Sequence, residues 1–330
     1  MKLGSSTKSP MLRNLRAGAC LKTNAYRLVN GEADGWENLY VDRLGQFLLA
    51  QSPNPLAKAE VEATIEWKNK LRLKGVYYRK LDRQVQFSTK RMASPRLLMG
   101  LEAPDTFEVK ENGLTFYLSL SQGYSTGLFL DMRQNRQRLI KNLVAPDFPV
   151  FQFTPNKSRV LNIFAYTCAF SVCAASAGAT TYNIDLSRRY LERGQGNMRR
   201  NGFEPEHHGF IYGDALDWMK RLAKRGEFYD LVILDPPTFS RSKKSGLFLA
   251  KRDYPLLAEL AAPLVRKGGL LLACCNTAGL SEKKFLQDVK SGLHLAERHI
   301  IKSFSAPQPI DFPLAPNDPS YLKVWWLKIN

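Results

Sequence analysis

Acidic residues are in short supply in this chain: 30 Asp and Glu stand against 48 Lys and Arg over 330 residues, a formal net charge of +18. A surplus of that size points to polyanionic partners, nucleic acid first and acidic membrane second, with a generally basic solvated surface as the bland alternative. Cysteine and histidine are sparse too. Cys20, Cys168, Cys173, Cys274 and Cys275 form no C-x-x-C pair, and there are four histidines. Neither a zinc or other metal site nor a disulfide framework is expected, and the chain reads as one made for a reducing compartment such as the cytoplasm. Uninterrupted apolar runs are missing as well. Residues 160–184 carry no charge, yet Asn162, Thr167, Ser171, Ser176, Gly178 and Asn183 break them up. That stretch reads as strand, turn, small-residue helix and second strand, and no membrane span is expected. Residues 1–27 are basic, contain no acid and lack the apolar heart of a secretory signal. They read as a basic arm, with an organellar transit remnant as the second reading.

What is present falls into three parts: the arm at 1–23, a small α+β domain at 24–120 and a larger α/β domain at 121–330. In the small domain "DRLGQ" separates two strands as a hairpin would, residues 56–72 have the spacing of an amphipathic helix, and "FEVKENGLTFYLSL" is a hairpin turning at Asn112 and Gly113. Residues 131–144 have helical spacing, with Leu139, Ile140 and Leu143 on one side, and the proline-rich 145–158 reads as an irregular connection. From Arg159 strands and helices alternate, which predicts a mostly parallel, Rossmann-like sheet covered on both faces. The ending departs from this, since "ERHIIKSF" and "YLKVWWLKI" have no helix between them and the last strand is expected to be antiparallel.

In such a sheet ligands sit beyond the carboxyl ends of the strands where strand order reverses. Asp185, Asp214 and Asp235 all fall at strand ends. Any one of them serves equally well as a helix cap, but three in consecutive units suggest a ligand. Asp185 follows the first strand by about 20 residues, the spacing at which an acid grips ribose hydroxyls. A dinucleotide would call for G-x-G-x-x-G in the first turn, because pyrophosphate needs bare backbone. The turn reads "FAYTCAFS", without glycine. A nucleoside lacking phosphates, such as S-adenosylmethionine, fits better, with Asp185 on its ribose and Asp214 near its base, and a nicotinamide oxidoreductase is disfavoured.

The segments "VLNIFAYTCAFSVCAASAGAT", "NIDLS", "GDALDW", "LDPPTFSRSKK" and "GLLLACCN", in this order, resemble the motifs of class I S-adenosylmethionine-dependent rRNA methyltransferases. The likeness is to the bacterial large-subunit enzymes that modify cytosine C5 or guanine N7. "YRLVNGEADGWENLYVDRLGQFLLAQ" and "QGYSTGLFLDMRQNR" resemble the small, RNA-substrate domain and the lead-in helix of that family, so the resemblance covers about residues 24–329. It implies S-adenosylmethionine contacts at Phe164, Ala165, Thr167, Asp185, Asp214 and Asp235 and in the 125–133 segment, from Ser125 to Arg133. It further implies that Asp235 and Pro236 face the methyl group and the target base, on a turn that two prolines hold rigid. The partner it implies is rRNA or a ribosomal precursor particle. Two departures stand out: cytosine members often carry an N-terminal PUA module, for which this chain has no room, and Cys168 stands where glycine is usual, which would set the backbone farther from the cofactor.

Arg241, Lys243, Lys244, Lys251 and Arg252 follow the "DPP" turn, where an RNA backbone would pass; alone, a basic loop is as well read as solvated. Phe239 is placed to stack on a base or to fill core. For the reaction itself, cytosine C5 needs a thiolate adding at C6, whereas guanine N7 has its own lone pair. Aligning "GGLLLACCNTAGL" on Gly268 and Gly269 puts Asn276 at the family's nucleophile position and Cys275 one residue early, on the opposite strand face. Asn276 at that place favours guanine N7, with cytosine C5 through Cys275 second; Cys274 and Cys275 otherwise read as small core residues. The reading from another class is a non-catalytic RNA-binding protein on a methyltransferase scaffold, against which the three intact acids and the intact "DPP" argue.

Overall fold

The computed structural model describes residues 22–81, 94–152, 157–242, 244–315 and 320–330. The chain divides into two units, Met1–Arg133 with Gln308–Asp318 and Gln134–Pro307 with Pro319–Asn330. The first division thus falls after Arg133, whereas the sequence pattern put it after residue 120. Its physical basis is a tie inside the first unit: the Arg133 guanidinium donates to both carboxylate oxygens of fully buried Asp311, at 2.7 Å to Oδ2. The same Oδ2 accepts the Arg27 N–H at 2.9 Å.

In this unit β1 (Ala25–Asn30), β2 (Tyr40–Leu44), β3 (Phe47–Ser52), β4 (Gly75–Lys80) and β5 (Arg96–Gly100) form one sheet in that order. Only β3 and β4 pair in parallel, because α1 (Lys58–Lys70) carries the chain back between them. The helix lays Trp67 against Tyr26, Leu28, Val41, Leu48 and Val76. The second hairpin, β6 (Phe107–Glu111) and β7 (Leu114–Leu118), turns at Asn112 and Gly113, both left-handed with φ of 53° and 89°, as a two-residue turn requires.

Helix α2 (Arg133–Ile140) carries the chain into the second unit; it ends short of 144 and leaves Leu143 exposed. The stretch expected to be irregular contains a short hairpin, β8 (Leu143–Ala145) and β9 (Phe148–Pro149). Then follow β10 (Arg159–Ile163), α3 (Ala169–Ser176), β11 (Thr180–Asp185), α4 (Arg188–Arg200), β12 (Gly209–Tyr212), α5 (Ala215–Lys224) and β13 (Tyr229–Leu234). A hairpin of β14 (Phe239–Ser242) and β15 (Gly246–Leu249) occupies what the sequence presents as a basic loop. The chain closes with α6 (Ala250–Ala261), β16 (Val265–Cys275), α7 (Glu282–Leu295), β17 (Ile300–Ser305) and β18 (Lys323–Ile329).

Seven strands form the central sheet in the order β12-β11-β10-β13-β16-β18-β17. The first five are parallel, and β18 is antiparallel to both its neighbours, as the sequence pattern predicted. Every residue of β13 is buried, so the strand must be covered on both faces, and Leu231, Val232, Ile233 and Leu234 form its run. Truncating one such side chain costs about 2–5 kcal/mol. Strand order reverses between β10 and β13. Ile163 pairs with both Ile184 and Leu234, which sets Phe164, Asp185 and Asp235 level with one another at the carboxyl edge.

Candidate active site

The first turn, 164–168, does without glycine a job that glycine usually does. Phe164, Tyr166 and Cys168 are left-handed, with φ of 61°, 50° and 59°, a strain of roughly 1–2 kcal/mol each. Neighbouring groups hold it in place. The Ala165 N–H donates to the Ile184 carbonyl at 3.0 Å, the Tyr166 N–H to Asp185 Oδ2 at 2.8 Å, and Asn197 Nδ2 to the Thr167 carbonyl at 3.0 Å. Cys168 takes a left-handed backbone shape that glycine adopts more easily, and its thiol is absorbed at α4, wholly buried beside Leu191. A Cβ added to Gly194 would collide with that thiol. Gly194 thus leaves a notch in α4 into which the thiol fits. Burial, aided by Asp185, pushes the Cys168 thiol well up, so it is no nucleophile. Ala165 and Thr167 are buried and offer a ligand only their backbone.

Asp185 ends β11 with both oxygens in use, Oδ2 for Tyr166 and Oδ1 for the Ser187 N–H at 2.8 Å. Burial raises its pKa against the pull of those two N–H groups. Each oxygen keeps a second lone pair, which a ribose hydroxyl can use. Asp214 caps α5, accepting the Asp217 N–H at 2.9 Å, and also accepts the Ser245 hydroxyl at 2.6 Å. Burial would raise this carboxyl, but hydrogen bonds from Ser242, Ser245 and the Asp217 and Leu216 N–H groups outweigh it and hold the pKa low. The corner between Asp214, Phe164, Leu186, Ser245 and Phe248 encloses about 10 Å³, room for at most about one water.

Of the expected RNA-binding cations, Arg241 and Lys244 lie in the β14–β15 hairpin and Lys251 and Arg252 in the first turn of α6. Lys244 reaches back to Asp217 at 2.9 Å, and Arg252 pairs with Asp253 at 2.6 Å. Both are exposed pairs that a phosphate can compete for. Arg241 and Lys251 are exposed and hold no ion pair among the described residues; Lys243 lies outside them. Phe239 is 46% exposed, on the stacking side of its two expectations rather than in the core.

Beyond β13, Asp235 is half-buried and Pro236 buried, and the turn passes on to exposed Thr238. Thr238 donates its hydroxyl to Asn276 Oδ1 at 2.8 Å. The "DPPT" turn and the end of β16 are thereby joined through an amide that is itself exposed. Cys275, one residue earlier, is fully buried and its thiol contacts Thr277 Oγ1 at 3.4 Å. Phe164, Asp185, Asp214 and Asp235 thus lie along one edge of the second unit, with Asn276 beside them. Ser125 and Arg133 belong to the first unit, where Arg133 is committed to Asp311.

Comparison with known proteins gives the same answer as the geometry. Residues 75–316 match the model of the S-adenosylmethionine-dependent methyltransferase family. The chain belongs to that family. It is 31% identical over 307 residues to a protein of Photobacterium profundum named ribosomal RNA large subunit methyltransferase I, an alignment covering 92% of this chain and 72% of the relative. A relative of the same name from Aeromonas salmonicida is 29% identical, with 88% and 68% covered. Among solved structures, SMU.776 complexed with SAH aligns with a TM-score of 0.81 at 28% identity, covering 99% of this chain and 83% of that one.

In this methyltransferase the donor set suits S-adenosylmethionine. Asp185 offers hydroxyl acceptors, Asp214 an acid beside an apolar corner, and the tightly held 164–168 turn its main chain. Sequence reading missed four residues that shape the site: Tyr166, Gly194, Thr238 and Ser245. Gly194, a glycine inside a helix, was the one with a visible signal. The other three act through tertiary contacts that no local pattern encodes.

Proposed function

We propose that this methyltransferase modifies a base of large-subunit ribosomal RNA, at guanine N7 ahead of cytosine C5. The names of its relatives and the net charge of +18 support the RNA; the Asn276–Thr238 contact beside a buried Cys275 supports the atom. S-adenosylmethionine, held by Asp185, Asp214 and the 164–168 turn, supplies an electrophilic methyl group. With Oδ1 of Asn276 occupied by Thr238, the amide nitrogen is left to donate. Guanine presents two acceptors side by side, N7 and O6, while adenine pairs an acceptor with a donor. Donation to O6 would hold N7, with its lone pair, in the plane where the methyl arrives, and orientation of that kind supplies much of the rate. Asp235 and the rigid Pro236 turn set the height of the base. Cytosine C5 would require the Cys275 thiol to leave the core and attack C6. The test is a pair of variants assayed on large-subunit rRNA and on the same RNA carrying 5-fluorocytidine. Asn276→Ala should lower turnover more than Cys275→Ser, and no covalent adduct should form. An adduct that disappears in Cys275→Ser would assign the enzyme to cytosine C5.

A further inference from the structure

Lys323 is a charged residue in the wrong kind of place. It opens β18, directly across from Cys275 on β16, and its side chain is 3% exposed. Among the described residues it makes no ion pair within 4.0 Å; Nζ donates instead to two carbonyls, of Thr277 at 2.6 Å and Tyr321 at 2.9 Å. Burial pulls its pKa down, against smaller opposite pulls from Cys275 and Glu282. A buried ammonium without a counter-ion stabilises a fold less well than an apolar side chain of the same shape, so stability does not explain it. Its position does. Thr277 follows Asn276, and its hydroxyl also meets the Cys275 thiol at 3.4 Å. The segment that presents Asn276 is thus held twice, its main chain by Lys323 and its amide by Thr238 at 2.8 Å.

We infer that Lys323 is a positioning residue for methyl transfer, fixing the 276–277 main chain so that the Asn276 amide meets the target base in one orientation. The inference rests on the role proposed for Asn276. Lys323 does not touch the base, and it acts on the transfer step rather than on the cofactor.

The experiment compares Lys323→Met, which keeps length and removes the donors, with Lys323→Gln, which keeps an N–H donor, each alone and combined with Asn276→Ala. Turnover on large-subunit rRNA, S-adenosylmethionine affinity by calorimetry and the unfolding midpoint are measured for all. Lys323→Met should lower kcat at least tenfold, leave cofactor affinity within twofold and leave the unfolding midpoint unchanged or raised. Lys323→Gln should recover most of the loss. Adding Lys323→Met to Asn276→Ala should cost no further activity, because the tether then holds nothing that matters. Should Lys323→Met fail to fold, the Gln variant carries the test: kcat below wild type, and no further loss upon combination with Asn276→Ala. Full activity in the folded variants, or losses that multiply with Asn276→Ala, would overturn the inference. Wild-type protein that methylates no rRNA, or an Asn276→Ala variant as active as wild type, would instead refute the reading on which the inference rests.

Discussion

Replacing Gly194 with alanine should reverse its sign of effect according to what stands at position 168. In the native chain the new methyl group points into the Cys168 side chain, with its Cβ only 2.9 Å away and the thiol closer. Both residues are buried, and Cys168 is held left-handed at a φ of 59° between the Thr167 and Ala165 hydrogen bonds. It cannot swing aside without carrying the turn along. Overpacking of this kind costs about 1–3 kcal/mol, while Ala for Gly inside a helix gains about 0.8–1 kcal/mol. The net expectation is destabilisation of up to about 2 kcal/mol, with weakened S-adenosylmethionine binding because the displaced turn also carries the Tyr166 N–H bound to Asp185. In a Cys168→Gly background the obstacle is gone, and the same Gly194→Ala change should stabilise by up to about 1 kcal/mol. Urea unfolding of the four proteins, read as midpoints at a constant slope, gives the coupling directly. It should be at least about 1 kcal/mol. If Gly194→Ala destabilises equally in both backgrounds, the notch in α4 does not accommodate the thiol and the account of the glycine-free turn is wrong.

The raised pKa of Asp185 gives cofactor binding a pH dependence of known sign. Its ionised form accepts from the ribose, so affinity should fall on acidification at a higher pH than the ordinary 3.8 of a carboxyl. Asp185→Asn should bind about 1–3 kcal/mol more weakly and show no such dependence in calorimetry between about pH 4 and 8; an unchanged profile would refute this. Because the folded chain holds that proton more tightly than the unfolded one, Asp185 costs stability above its folded pKa, and the cost vanishes as pH falls toward 3.8. Arg241→Ala combined with Lys244→Ala and Lys251→Ala should flatten the slope of log RNA affinity against log salt by up to about one unit per lost phosphate contact. An unaltered slope would assign these three cations to solvent.

The parallel core was legible because its strands are continuous apolar runs ending in acids, a signal that survives without tertiary information. The hairpin at Asn112 and Gly113 was legible for a local reason, since both residues tolerate left-handed backbone. The β14–β15 hairpin was not. Its strands, "FSRS" and "GLFL", are too short and too mixed in polarity to show a period of two, and their pairing is stabilised by Ser245 and Lys244 reaching residues far away in sequence. The fit of Cys168 to Gly194 was hidden for a similar reason, because the residue whose missing side chain makes room for the thiol lies on another element. The choice between Asn276 and Cys275 rested on register alone; in the fold Cys275 is the fully buried last residue of β16, and Asn276 lies exposed just beyond it, beside the "DPPT" turn.

The account stands or falls on where the methyl group goes. Large-subunit rRNA incubated with the protein and isotopically labelled S-adenosylmethionine, then digested and resolved as nucleosides by mass spectrometry, answers that directly. The label should appear in one base-methylated nucleoside, 7-methylguanosine, and its yield should fall with Asn276→Ala and persist with Cys275→Ser. Label in 5-methylcytidine that is lost in Cys275→Ser would contradict the assignment of the acceptor atom, and no label in RNA at all would contradict the proposed substrate.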